Sequence, residues 1–260
     1  MNELTPVMVA GIAFAYVGGL TFFGAGVLLS IRRRRLHPLL LLCISALTFS
    51  WIEAPYDWAM YAQFPPAIPR MPSWWPLNVT WGGLPSAVPI GYMSYFILPP
   101  VIGAFVGRRL VGRFGWRRPQ ALLATGFAVG FLWAMFFNAV VGARLGVFHY
   151  GRVIPGLALF AGTKHQYPVY DAVAMGIQAM VFTYLLGRTD DEGRTVVDRW
   201  ADSTMATRLR SAAASVLAFV VIGHVVYLAV FLPHLVTKQA GLVTEAPAGQ
   251  LFEGVPNQPS

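Results

Sequence analysis

Charge is what this chain has least of. Only 12% of its 260 residues are Asp, Glu, Lys or Arg, while 56% are hydrophobic. A soluble domain carries about twice that charged fraction. The composition therefore excludes a water-soluble globule and predicts an all-α, polytopic transmembrane helical bundle with no separate soluble domain. Cysteine is almost absent. Cys43 stands alone inside an apolar run, which excludes an intrachain disulfide and argues against a cysteine-built metal centre. Histidine is scarce too: positions 37, 149, 165, 224 and 234 show no HxxxH or HExxH spacing. No metal is expected, which weighs against a di-iron membrane hydroxylase or desaturase. A glycine-rich phosphate loop, a dinucleotide fingerprint and a serine-nucleophile motif are all missing, so no cofactor is expected.

What is present is apolar length. Six runs can span a bilayer, at about 8–31, 39–61, 88–106, 121–142, 169–186 and 211–236. The first is too long for a signal-peptide core and follows no basic residue, so it is expected to be retained. Gly18, Gly19, Gly24 and Gly26 in it permit close helix contact. Pro99 and Pro100 predict a kink in the third run. The 63–87 loop is rich in Pro and Trp; it reads as an ordered lid, with Trp74, Trp75 and Trp81 suited to the membrane interface. The apolar stretch 153–161 is too short to cross and is expected to be re-entrant or to lie at the surface. A charged, solvated 189–210 segment has room for a short helix. The bundle is read as one domain over 1–236, with a polar, disordered tail over 237–260.

Net charge is +8, which on its own would allow a nucleic-acid partner. Its placement excludes that reading. All but five of the basic residues (Arg70, Arg144, Arg152, Lys164 and Lys238) fall in the loops after runs one, three and five. That face is expected to be cytoplasmic, with both termini and the Trp-rich loop outside.

Against this background the second run is anomalous. It carries Glu53 and Asp57 around Pro55, in Ser50-Trp-Ile-Glu-Ala-Pro-Tyr-Asp-Trp58. Acidic groups at membrane depth cost roughly 2.5–3.5 kcal/mol each on insertion scales. Four residues apart, they share a helix face. Pro55 removes a backbone hydrogen bond and should kink the helix there, freeing the Trp51 carbonyl. With Tyr61 at the outer end, Glu53 lies roughly 12 Å in and Asp57 roughly 6 Å in. Ser50 and Tyr61 extend the polar face; Trp51 and Trp58 flank it. Asp171 opens the fifth run with Gln178 seven residues deeper on the same face, Asn138 lies near the outer end of the fourth, and His224 and Tyr227 sit within the sixth. These groups predict a buried polar pocket in the outer half of the bundle.

A carboxyl in an apolar pocket favours its protonated form and serves as a proton donor at neutral pH; a better-solvated neighbour stays ionised. This assigns acid to the deeper Glu53 and base to the shallower Asp57, with Asp171 as the third catalytic carboxyl. Trp51, Tyr56, Trp58, Tyr61, Asn138, Gln178, His224 and Tyr227 are the expected substrate-binding residues, the aromatic ones forming a cation-tolerant wall. The structural alternative is that Glu53 and Asp57 pair with Arg144, Arg152 or a histidine to lock helices together.

The stretches EAPYDW, QFPP, PRMPSWWPLN and TWGGLP, followed by HYGRVIPG and KHQYPVYD, resemble the AveC-type spirocyclase family of actinobacterial membrane proteins over about 48–171. The resemblance implies spiroketal formation on a macrolide polyketide, in some members with dehydration, and a place in the bacterial plasma membrane. It carries no catalytic residues over; those named above rest on the physical reading. The expected function is a membrane-embedded, cofactor-independent acid–base cyclase or dehydratase acting on a hydrophobic, hydroxylated polyketide or lipid. The alternative is a non-catalytic lipid- or sterol-binding subunit that passes cargo to a partner. A proton-coupled transporter is disfavoured by the lack of evident inverted repeats. Expected partners are the hydrophobic substrate and the surrounding membrane lipids.

Overall fold

The computed structural model describes residues 3–247. Among them are seven helices, six of them long and apolar enough to cross a membrane. Helix α1 spans Pro6–Arg33, α2 Pro38–Ala59, α3 Val88–Phe114, α4 Arg118–Arg144 and α5 Val169–Gly187. A short α6, Val196–Thr204, precedes the long α7, Arg208–Gln239.

Proline and caps account for where these helices start and bend. Thr5 caps α1 by accepting from the Met8 amide, and Pro6 occupies its first turn. Arg34, at φ 51°, ends it in the left-handed region. In α2 the geometry tightens to a 3₁₀ turn over Ser50–Ile52, the turn that the ring and missing N–H of Pro55 disturb. The irregularity expected of the proline therefore takes the form of a 3₁₀ segment one turn upstream of it. Helix α3 is broken between Tyr95 and Leu98, immediately before Pro99 and Pro100. Two π-helical segments, Phe14–Gly18 in α1 and Met135–Arg144 in α4, carry the remaining irregularity.

Small residues bring the helices together. A Cβ on Gly126 of α4 would lie 2.8 Å from the Met180 Cα of α5. A Cβ on Gly223 of α7 would collide with Ser45 of α2, and one on Gly26 of α1 would reach the Leu40 backbone at 2.8 Å. Gly18 and Gly19 abut Ser94 and Ile90 of α3 in the same way, whereas Gly24 faces open space. Three of these four glycines, Gly18, Gly19 and Gly26, thus serve close contact.

The basic loops gather at one end. Arg35 pairs with Asp202, Arg208 donates to the Arg34 carbonyl, and Arg118 Nη2 donates to the Gly187 carbonyl at 2.9 Å. The expected short helix is α6, opened by a capping box between Thr195 and Asp198. His37 caps α2 there, its Nδ1 accepting from the Leu39 amide at 3.1 Å, a bond that needs the neutral ring. Burial, and next the Arg33 guanidinium, push the His37 pKa down to about 4, with Asp198 opposing. The folded value thus lies below the ordinary histidine value of about 6.5, so the unfolded chain binds more protons between them. The contribution of His37 to stability is complete above about pH 6.5 and is lost as pH falls toward about 4. Melting temperature should drop on acidification from pH 7 to 5, and less steeply in His37→Asn, which keeps a capping acceptor but does not titrate.

The opposite end is closed by the long loops. Strand β1 (Ala62–Gln63) pairs antiparallel with β2 (His149–Tyr150), and β3 (Ala158–Leu159) with β4 (Tyr167–Pro168). The 153–161 stretch therefore lies at this surface rather than re-entering the bundle. The polar tail starts later than the sequence indicates. Helix α7 continues to Gln239, the chain turns at Gly241, and Val153 and Glu245 exchange backbone hydrogen bonds of 2.9 and 3.0 Å. The unpaired backbone of the 153 segment explains why the tail is held there. Residues 248–260, also expected to be disordered, lie outside the described residues.

Candidate active site

A cavity of about 180 Å³ opens between α1, α2, α3, α4, α5 and α7, beneath the closing loops. Glu53, Asp57 and Asp171 all line it. The 3₁₀ turn at Ser50–Ile52 resets the helix just before Glu53, and the following α-turns carry Glu53, Tyr56 and Asp57 on the cavity side.

Each carboxyl is held differently. Glu53 accepts from the Tyr92 hydroxyl of α3 and the Tyr227 hydroxyl of α7, whose oxygens lie 2.7 Å apart. Asp171, in the first turn of α5, collects four donors: Asn138 Nδ2 at 2.7 Å and the hydroxyls of Tyr56, Tyr167 and Tyr150 at 3.1, 3.2 and 3.3 Å. Two of these continue outward. Tyr56 Oη lies 3.0 Å from His234 Nε2, and Asn138 Oδ1 accepts from Tyr95 at 2.9 Å. Asp57 has the Thr80 hydroxyl of the lid at 3.5 Å. None of the three carboxyls forms an ion pair among the described residues. Hydrogen bonds from neutral phenols, an amide and an alcohol, rather than cations, offset the desolvation of this acidic cluster. The helix-locking alternative with Arg144 or Arg152 is absent from the geometry: Arg152 stacks over Tyr61 instead.

The sequence-derived set divides in two. Glu53, Tyr56, Asp57, Asn138, Asp171, Gln178 and Tyr227 converge on the cavity. Trp51, Trp58, Tyr61 and His224 are not among the residues lining it. Trp51 Nε1 donates to His224 Nε2 at 3.2 Å, while His224 Nδ1 bonds the Val220 carbonyl, so each occupies the other. Trp58 and Tyr61 do hold a cation, but it is Lys238, with Nζ 4.1 and 3.4 Å from the two ring centroids. The ordering by hydration also differs from expectation. Asp57 is only 5% exposed, while Glu53 keeps partial exposure, because Thr80 descends from the lid onto Asp57.

Tyr92, Tyr95 and Tyr167 lie outside the set expected from the sequence, as do Thr80 and His234. Tyrosine is common near membrane interfaces, so its presence alone carried no signal. The usable hint was the run Tyr167-Pro-Val-Tyr-Asp171, which places an aromatic hydroxyl one turn from a carboxyl.

The lid is built to stay closed. Arg70 donates to the carbonyls of Gly83, Phe64 and Pro65 at 2.8, 2.9 and 2.9 Å, tying both ends of 63–87 together. Asn78 Oδ1 accepts from the Leu84 amide at 2.8 Å. Gly82 and Gly83, at φ 72° and 87°, make the reversal that a residue with a Cβ would strain.

The AveC-like spirocyclase family matches residues 31–258. The chain belongs to this family. The match extends the resemblance read at 48–171 to nearly the whole chain, and the family points to a cyclase-like role. No curated protein and no solved structure gives a match. In this AveC-like chain almost all of α1 precedes the matched residues, yet Met8, Gly11, Ile12, Phe14 and Ala15 form one cavity wall. A Cβ at Gly11 would meet only Val147, at 3.9 Å. Gly11→Leu should therefore fill the cavity from α1 without disturbing the fold. Substrate turnover should fall more than about tenfold with an unchanged or raised melting temperature, since leucine also favours helix.

Proposed function

We propose that this protein is a membrane-embedded acid–base cyclase that closes a hydroxylated ketone to a spiroketal. The observation that carries this reading is the void itself: three carboxyls face one apolar cavity, bonded to phenols, an amide and an alcohol and to no cation among the described residues. Two carboxyls on one helix face in such surroundings hold a proton between them. That is what the reaction needs.

The two carboxyls titrate as one pair, so the cover of Thr80 over Asp57 does not fix where their shared proton sits; the cycle starts with Glu53 as acid and Asp57 as base. A substrate hydroxyl attacks the ketone carbon, Asp57 takes the hydroxyl proton, and Glu53 protonates the carbonyl oxygen, giving a hemiketal. Asp57 then returns its proton to the hemiketal hydroxyl, which leaves as water. The second hydroxyl attacks the resulting oxocarbenium carbon and passes its proton to Glu53. One ketone and two hydroxyls become a spiroketal and one water, and both carboxyls regain their starting states. Asp171, its carboxyl held in place by its tyrosine and asparagine donors, faces the cationic intermediate from α5. The closed lid keeps bulk water from that cation. Dehydration of a product, or closure of a hydroxylated lipid, would use the same groups.

About 180 Å³ is small for a macrolide. The reacting segment enters, and the rest of the substrate lies toward the α1 side and the bilayer. The distribution of basic loops supports a cytoplasmic face opposite the lid, in a bacterial plasma membrane with both termini outside. Cysteine placed at the exposed Trp74 should react with a membrane-impermeant maleimide in intact cells; labelling only after lysis would reverse the topology.

The test of function is direct. Protein in lipid nanodiscs is given 1,9-dihydroxynonan-5-one at neutral pH, and formation of 1,7-dioxaspiro[5.5]undecane is followed by gas chromatography. A rate at least about a hundredfold above empty nanodiscs is expected. A rate equal to that background would overturn the proposal.

A further inference from the structure

Gln178 lies two turns below Asp171 on α5. Asp171, Ala174, Met175 and Gln178 recur at helical spacing and all four line the cavity. The rise between Asp171 and Gln178 is about 10 Å, so the amide stands well below Asp171, at about the depth of Glu53. Gln178 is 1% exposed, and its Nε2 has no hydrogen-bond partner. Among the described residues lining the cavity, no other side chain has a buried nitrogen or oxygen left unmatched. Glu53, Tyr56, Tyr92, Asn138, Asp171 and Tyr227 all satisfy one another.

A buried donor without an acceptor is a standing cost that native proteins rarely carry. Water is a poor remedy here. A buried water ordinarily makes about three hydrogen bonds, and the wall above Gln178 is built from Ala174 and Met175. The missing partner is better supplied by one acceptor oxygen on an apolar segment of a ligand.

We infer that Gln178 is a ligand-positioning residue whose Nε2–H donates to an ether or carbonyl oxygen on an otherwise apolar segment of the ligand. The ligand then lies along α5, one oxygen on Gln178 and its reacting carbon at the carboxyl cluster. This fixes which end of the substrate meets Glu53. The inference rests on the reading of this cavity as the substrate site, and its test uses binding rather than turnover.

Two unreactive probes of matched shape separate the oxygen from the hydrocarbon: 1,7-dioxaspiro[5.5]undecane and its carbocycle, spiro[5.5]undecane. Both are titrated into protein in nanodiscs, with partitioning into empty nanodiscs subtracted. The native protein should bind the dioxa probe about five- to tenfold more tightly, the value of one buried hydrogen bond. Gln178→Leu, close in volume, should bind both equally. In protein labelled with [¹⁵N]glutamine, the side-chain amide signal missing from that variant should shift with the dioxa probe and not with the carbocycle. If Gln178→Leu does not fold, Gln178→Met serves for assignment, and the shift in the native protein still decides. Equal binding of the probes by native protein, persistence of the preference in the variant, or an unmoved amide signal would each overturn the inference. A protein that closes the dihydroxy ketone yet treats the probes alike loses the Gln178 role and keeps the cyclase reading. One that discriminates between the probes but closes nothing shows the reverse.

Discussion

Glu53→Gln is expected to lower kcat for spiroketal closure by about two to four orders of magnitude, the range for a positioned acid. Glutamine keeps the shape of the side chain, and its carbonyl oxygen still accepts from the Tyr92 and Tyr227 hydroxyls. Folding and substrate affinity should therefore survive. The informative pattern is a collapsed kcat with KM nearly unchanged and a melting temperature within a few degrees of the native protein. That pattern separates a catalytic acid from a structural one. Normal turnover in this variant would remove Glu53 from the acid role. Loss of stability together with loss of probe binding would instead favour a cargo-binding subunit. Tyr92→Phe and Tyr227→Phe provide a graded control, because each removes one of two donors and leaves the proton on the carboxyl.

Arg70→Met should open the lid. Three backbone carbonyls lose a charged donor at once, those of Gly83, Phe64 and Pro65. A hydrogen bond to a charged group is worth about 1.5–3 kcal/mol, but freed carbonyls near the surface recover water. The net local loss should be about 3 kcal/mol, well short of three full bonds. That is roughly a hundredfold loss of protection in hydrogen exchange, and it should appear first at two amides. Met71 N–H donates to the Leu84 carbonyl at 2.7 Å, and Ser86 N–H to the Pro69 carbonyl at 2.9 Å; both bonds depend on the two ends of the loop staying together. The transmembrane helices do not rely on Arg70, so helical content should be unchanged. Asp57, covered by Thr80 of the same loop, should become hydrated, and closure should slow by about tenfold or more as water reaches the intermediate. Unchanged exchange at Met71 and Ser86 would show that the lid is held by its prolines and aromatic packing instead.

Local physics was legible before any coordinates. Hydropathy marks six spans because each must satisfy its own backbone in lipid, whatever its neighbours do. Proline acts within one turn, so the breaks before Leu98 and at Ser50–Ile52 follow from Pro99, Pro100 and Pro55. The burial of Glu53 and Asp57 on one face, and the placement of Asp171 and Gln178 on another, followed from helical spacing. Lateral neighbours were not legible. Rotation and tilt of each helix are set by side-chain packing across the bundle, such as Gly126 on Met180 and Gly223 on Ser45. Those contacts turn Trp51 toward His224 and away from the cavity, and bring Tyr92 and Tyr227 onto one carboxyl from helices far apart in sequence.

By itself, then, the sequence determined a six-span membrane bundle with acids sunk on one side of its second helix, since hydrophobicity and backbone sterics act over a few residues. Only the tertiary structure decided which groups surround those acids. Asp171 draws its donors from α2, from α4 and from two positions in the closing loops, and Asp57 owes its cover to a loop residue 23 positions away. Apart from Tyr167, four residues from Asp171, such partners are chosen by packing between distant segments, a property no local pattern in the chain encodes.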